Sequence, residues 1–394
     1  MIKRKNKNKD NPFYDPTLSK RHRSSKRFKR FTLASLLFSI AFLAFFLFDI
    51  VGKGTPAFKQ AYVNVEVTYS EASKKSYRKA IDRKYTRIVS RAWLRTLPME
   101  MENNPELIGT KTKMWVLADD QVDQYLKGHY YKLKRKDRAL IDDMKANGDV
   151  ELKFNEIFFK NGDSKTPEFA GLNSAIIGSI LTLIIAMLVA FPIGVMTAVY
   201  LEEFADDNKF TQTIEVNINN LAAIPSILFG LLGLAIFINL FGMPRSSPLV
   251  GGLTLALMTL PIIIVSSRAA LRAVPDSIRQ AAYGLGLTKI EVTRDHVLPL
   301  AFPGVLTGSI IGLAQAMGET APLIIIGMIA FIPDSPGSIF EAATVMPAQL
   351  FTWAGMPERM YIEKTAAGIM VLLTILISLN ALAIYLRKKY EVKW

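Results

Sequence analysis

Apolar residues along this chain collect in blocks instead of spreading evenly. Each block is about twenty residues or more, the length an α-helix needs to cross the hydrocarbon core of a bilayer. The blocks cover residues 31–51, 174–201, 221–241, 249–270, 304–331 and 365–386. Pro192 lies inside the second and Pro225 near the start of the third. A span tolerates such prolines where neighbouring helices satisfy the freed backbone groups. The pattern predicts an α-helical integral membrane protein with six transmembrane helices.

Between the first two blocks, residues 52–173 change period. Tyr62, Val63, Asn64, Val65, Glu66 and Val67 alternate like a half-buried strand, and residues 152–159 do the same. Residues 114–118 suggest another strand. Residues 70–97 read as one or two basic helices, and 119–126 and 136–145 as further ones. The expectation is a small α+β insert outside the membrane, acting as a spacer or a docking surface. It carries no nucleophile–base or metal-ligand spacing.

Residues 275–299 are polar, yet they lie between two span-like blocks and carry helix punctuation. Pro275, Asp276 and Ser277 suit a helix start, and Gly284 and Gly286 a helix end. Thr288 and Glu291 have the spacing of a capping box. A helix–turn–helix at a membrane face is expected to dock something. A second polar interruption lies inside the fifth block. Gln315 and Glu319 are one helical turn apart and are expected to share a helix face. Gly312 and Gly318 permit close helix approach. A carboxylate at membrane depth costs about 2.5–3.5 kcal/mol, so it is expected in a helix–helix clamp or along a watery path. Thr320, Asn219, Asn220, Ser226, Ser266 and Ser267 are further candidates along such a path.

Composition narrows the function. The 394 residues include no cysteine and three histidines, which excludes thiol chemistry and argues against a His-rich metal site. The formal net charge of +14 is concentrated before the first block, from Lys3 to Arg30. That is the positive-inside signal, with a contribution from anionic lipid, and not a nucleic-acid surface. Arg387, Lys388, Lys389 and Lys393 follow the last block, so both termini and residues 275–299 are expected in the cytoplasm. Glu202, Glu203, Asp206 and Asp207 dissent mildly. The first block lacks a small-residue cleavage site and reads as an uncleaved anchor. There is no G-x-x-x-x-G-K-[ST] loop, so the chain is expected to hold no ATP itself and to be no enzyme.

Gln280-Ala281-Ala282, Gly286 and Leu298-Pro299 resemble the EAA loop of ABC-transporter permeases. Gly318-Glu319-Thr320-Ala321-Pro322, Tyr200-Leu201-Glu202-Glu203, the stretch from Asn219 to Gly233, and Leu271 to Pro275 resemble phosphate-specific permeases of the PstA type. The likeness runs from about residue 173 to the end. It departs at Gln280, where Glu is usual, at His296, where Ile is usual, and at Gln315, where many relatives carry Arg.

The resemblance implies a type I ABC permease (MetI-like) fold. Its parts are a basic tail at 1–30, an anchor at 31–51, an extracytoplasmic insert at 52–173, a five-helix permease core at 174–387 with a coupling loop at 275–299, and a tail at 388–394. It implies a subunit of an ATP-driven phosphate importer in the bacterial inner membrane. The partners it implies are a PstC-like permease, two ATPase subunits holding the ATP and Mg²⁺, and an extracytoplasmic phosphate-binding protein. Another oxyanion, sulfate or molybdate, remains open, as does a membrane sensor with an outer ligand-binding domain.

Overall fold

A computed structural model describes residues 17–129, 131–329 and 331–390. Lys3, Arg4, Lys5, Lys7 and Lys9 of the basic tail, and Lys393 of the C-terminal one, lie outside the described residues. The first helix, α1 (Leu18–Gly54), belongs as far as Gly52 to a unit of its own. Leu36, Leu37, Phe38 and Ile40, which fall on different sides of it, all stay exposed, as suits a helix solvated by lipid tails.

The second unit begins with the insert. Its centre is β1 (Lys59–Thr68), flanked on both sides by antiparallel strands, β2 (Lys111–Leu117) and β3 (Val150–Phe154). Val65 faces Met114 across one ladder and Ala61 faces Leu152 across the other. The period-2 pattern works as expected: Ala61, Val63, Val65 and Val67 are buried while Glu66 is exposed. Two helices cover that buried face, α2 (Arg91–Asn103) through Leu94, Leu97 and Met101, and α4 (Arg135–Ala146) through Ile141 and Met144. Between them comes α3 (Asp120–Leu126).

Two expectations here need correction. Residues 76–90 are mostly turns, because Ala80, Ile81, Ile88 and Val89 are drawn into the core one by one. Residues 152–159 are not one strand. Asn155 accepts from Phe158 N (3.1 Å) and donates to the Ala57 carbonyl (2.9 Å), which turns the chain into the short helix Ile157–Lys160.

The helical core follows: α5 (Asn173–Val199), α6 (Lys209–Ala222), α7 (Ser226–Gly233), α8 (Pro248–Arg272), α9 (Asp276–Gly284), α10 (Lys289–Glu291), α11 (Leu298–Gly318), α12 (Ala321–Ile325), α13 (Met346–Ala354) and α14 (Arg359–Tyr390). Among the described residues, 5 helices are long and apolar enough to cross a membrane, α1 included. The bent pair Lys209–Ala222 and Ser226–Leu240 makes a sixth if counted as one span. The most apolar window of α8 is 61% buried, against 28% for that of α5, so α8 is the central helix.

The third expected span is not one straight helix. It bends by 102° at Ala223, Ile224 and Pro225, where proline disfavours helical backbone in the residue before it. The fifth expected span is also shifted. Its helix begins well before residue 304 and stops at Gly318.

The insert is fixed to the core. The Lys364 ammonium is fully buried and donates to the carbonyls of Pro167 and Ala170, both at 2.6 Å. Trp353 Nε1 donates to Asp163 (2.8 Å) and the Tyr361 hydroxyl to the Ser164 carbonyl (2.5 Å). Lys127 and His129 from the insert reach Glu363 at 3.3 and 2.6 Å. Nearby, the carboxylates of Asp119, Asp120 and Glu168 crowd together. Burial, then the neighbouring Asp120, pushes Asp119 above the usual carboxyl range. Burial pushes Glu168 up to about 7.

Both groups bind a proton more tightly folded than unfolded. Their stabilisation is therefore complete below their ordinary values, 3.8 for Asp119 and 4.5 for Glu168, and is lost as pH rises through about 8 and about 7 respectively. For Glu168 the difference is about 3 kcal/mol. Thermal melting of the purified protein is expected to fall from pH 4.5 to pH 8, and Glu168→Gln to flatten that fall.

Candidate functional site

The element between α8 and α11 forms as its punctuation suggests, with one change. The residue at the helix boundary before α9 is Pro275, so neither Asp276 nor Ser277 caps it. Asp276 lies in the first turn, where its charge suits the helix dipole, and accepts from Arg279 at 3.3 Å. Past Gly284, Gly286 adopts φ +83, a conformation that costs other residues roughly 1–2 kcal/mol. Thr288 and Glu291 make both bonds of the capping box: Thr288 N donates to Glu291 at 2.8 Å, and Glu291 N to Thr288 Oγ1 at 3.4 Å. From α10 the helix continues through a π-helical stretch, Val292–Val297, directly into α11. Leu298 and Pro299 stand at that junction; Pro299 lies inside the continuous helix and gives no N–H to the turn before it, which is where the π-helical stretch falls. The whole of Lys289–Gly318 is thus one stem of 30 residues.

Arg279 fastens the front of this element. It donates to Glu203 (2.7 Å) and to the Leu271 (3.0 Å) and Val274 (2.7 Å) carbonyls at the end of α8. Both side chains are largely buried, 16% and 7% exposed. Glu202 pairs with Arg272 (2.8 Å) and Arg268 (3.3 Å), and Arg268 also with Glu215 (2.5 Å). The acidic residues that dissented from the charge rule are, at Glu202 and Glu203, counter-ions of these arginines.

Among the expected docking residues, Gln280, Ala281, Gly286 and Pro299 are exposed and Leu298 is partly covered. Ala282 is buried among Leu201, Leu271, Val274, Val292 and Val297. It faces the spans, because it holds α9 against them. Residues that sequence reasoning missed take the outer face: Leu285 is 81% exposed and Ile290 64%, with Tyr283 beside them. Their signal was apolar character within a polar loop.

The second candidate region lies where two helices break. α12 packs on α7 so closely that a Cβ on Gly230 would stand 2.7 Å from Pro322 Cα. Glu319 terminates α11 with extended backbone (φ −77, ψ 122). It therefore does not share a helix face with Gln315, contrary to expectation, since the Gly318–Pro322 run ends the helix. Gln315, Asn219 and Asn220 are exposed, while Glu319, Thr320 and Ser226 are partly exposed. Ile224, at the other break, packs against the same apolar cluster that holds Ala316, Met317 and Leu323, and the helices that leave the two breaks, α7 and α12, pack on each other. No side chain caps the N-terminus of α7, which begins at Ser226. Ser266 donates to the Ile262 carbonyl (2.7 Å) and Ser267 is buried, so neither lines this surface.

A family model described as binding-protein-dependent transport system inner membrane component matches residues 190–392. A domain of unknown function (DUF3333) matches residues 15–80 and 70–135. The chain is 33% identical over 193 residues to the phosphate transport system permease protein PstA of Mycobacterium leprae (strain TN), covering 48% of this chain and 62% of that relative. The probable ABC transporter permease protein YqgI of Bacillus subtilis (strain 168) is 28% identical over 250 residues, 60% of this chain and 84% of its own. The phosphate transport system permease protein PstC of Pasteurella multocida (strain Pm70) is 31% identical over 241 residues, 55% of this chain and 75% of its own.

Removing Arg279 leaves Glu203 buried without a counter-charge, which costs about 3–5 kcal/mol. Arg279→Ala is expected to lower the melting temperature of the detergent-purified protein, and Glu203→Gln in the same chain to restore part of it. Ala282→Asp is expected to destabilise similarly, whereas Leu285→Asp leaves melting unchanged.

Proposed function

Because the chain belongs to the family of binding-protein-dependent transport system inner membrane components, we propose that it is one permease subunit of an ATP-driven importer of inorganic phosphate. The substrate follows from relatives named as phosphate transport permeases. The observation that carries the mechanism is the unbroken stem Lys289–Gly318, which runs from the exposed loop to the helix break at Glu319.

Separate ATPase subunits, two per complex and holding the ATP and Mg²⁺, dock on the face carrying Gln280, Ala281, Tyr283, Leu285, Gly286 and Ile290. Ala282 supports that face from behind, and Leu298 and Pro299 join it to α11. When the motor closes, the stem and the Arg279–Glu203 clamp move together with α8. The two helix breaks then alternate between outward and inward access, the general scheme in which broken helices flank the substrate.

Gln315 and Asn220 are exposed, and Thr320 and Ser226 partly so, in the single chain because a second, PstC-like permease completes the path. The uncapped N-terminus of α7 offers N–H groups and a positive dipole end to an anion. Glu319 would repel phosphate if it were charged and unpaired. Paired with an arginine of the partner, protonated, or accepting the proton that hydrogen phosphate carries, it does not. The last case distinguishes phosphate from sulfate, because an acceptor facing sulfate stays unsatisfied.

In this reading the membrane is the bacterial inner membrane, both termini and the docking loop are cytoplasmic, and an extracytoplasmic phosphate-binding protein delivers substrate. Uptake by the purified complex in proteoliposomes tests it. Phosphate uptake is expected to need ATP and to exceed sulfate uptake at least tenfold, with Glu319→Gln narrowing that ratio. Equal uptake of the two anions by the unmodified complex contradicts the substrate assignment.

A further inference from the structure

A cavity of about 610 Å³ in the insert opens between the turns at 77–87 and the start of α2. Arg78, Lys79, Arg83, Arg87 and Arg91 line it, all with exposed side chains. The local sequence forces this arrangement. Ala80, Ile81, Ile88 and Val89 are buried in the core, so the cations between them are turned outward. The segment is also pinned to the sheet. Thr68 N donates to the Ala80 carbonyl (2.6 Å), Ser90 N to Leu117 (2.8 Å) and Asp119 N to Ile88 (2.9 Å). The backbone that carries the cations is therefore held on a fixed frame.

Counter-charge is scarce there. Arg87 lies 4.0 Å from Asp137. Among the described residues no carboxylate pairs with Arg78, Lys79, Arg83 or Arg91. Like charges gathered in one concavity repel each other and raise the local concentration of anions. Tyr77 and Thr86 add hydroxyls to the wall, and Leu94 an apolar floor. Hydrogen bonds from Arg95 and then Arg78 hold the Tyr77 hydroxyl below its ordinary pKa.

We propose that this cavity binds a small anion carrying two or more phosphoryl groups. Guanidinium forks match phosphoryl oxygens two at a time, and several arginines converging from different turns suit an anion with several charges. The volume lies within the range of small-molecule pockets, about 300–1,000 Å³, and leaves room for linked phosphoryl groups. A flat protein partner would leave this concavity unfilled. The proposal concerns the insert alone and stands or falls independently of the transport reading.

Calorimetric titration of the full chain in detergent tests it, with tripolyphosphate as the probe. Binding is expected at micromolar concentration and to weaken at least tenfold in Arg83→Gln/Arg91→Gln. Lys136→Gln/Lys145→Gln removes the same charge from α4, outside the cavity, and is expected to leave binding unchanged. Melting temperatures confirm that both variants fold. Competition by short-chain phosphatidic acid identifies a lipid headgroup as the source of the phosphoryl groups; lack of competition identifies a soluble one. Three results overturn the proposal: no binding of tripolyphosphate, equal weakening in both double variants, or tighter binding of polyglutamate than of tripolyphosphate.

Discussion

The Arg279 guanidinium sits between Glu203 and the carbonyls that end α8, and the seating of the α9–α10 element on the spans depends on that placement. A carboxylate as buried as Glu203 needs a counter-charge, and a helix end needs donors for its last carbonyls. One side chain meets both needs. The consequence is geometric. The front of the element is tied to α8 and to the end of α5, while its back is continuous with α11. A push on the exposed face has no slack segment to absorb it.

The insert follows a similar logic at the other end of α14. Lys364 is buried where only carbonyls can receive its protons, and Glu363 beside it is shared by Lys127 and His129. Burial of this much charge is tolerated because nearly every group has a partner. An insert held this way moves with the start of α14 and does not swing on a tether. Its sheet, by contrast, rests on an ordinary apolar core, which is why its outer loops are free to carry unpaired cations.

Local signals were legible in the sequence. The alternation from Tyr62 to Val67 set the central strand and its buried face, and Thr288 with Glu291 announced a cap that forms both bonds. The apolar blocks gave the spans approximately. Non-local facts were hidden. Arg279 and Glu203 are 76 positions apart, and no period or spacing links them. Ala282 was expected to act with its exposed neighbours, and its side of α9 faces the spans instead. Glu319 looked intrahelical because the residues on both sides are apolar. The break follows from the Gly318–Pro322 composition together with packing on Gly230, and a hydropathy pattern does not register backbone direction.

The absence of native cysteine makes the central claim directly measurable. Single cysteines at Leu285, on the docking face, and at Thr86, in the insert, are labelled with a membrane-impermeant maleimide in vesicles of known orientation. The account predicts that the cysteine at 285 reacts only in inside-out vesicles and is shielded when the co-purifying ATPase is bound, while the one at 86 reacts only in right-side-out vesicles. Labelling of position 285 from outside, or labelling that no ATPase ever shields, would contradict it.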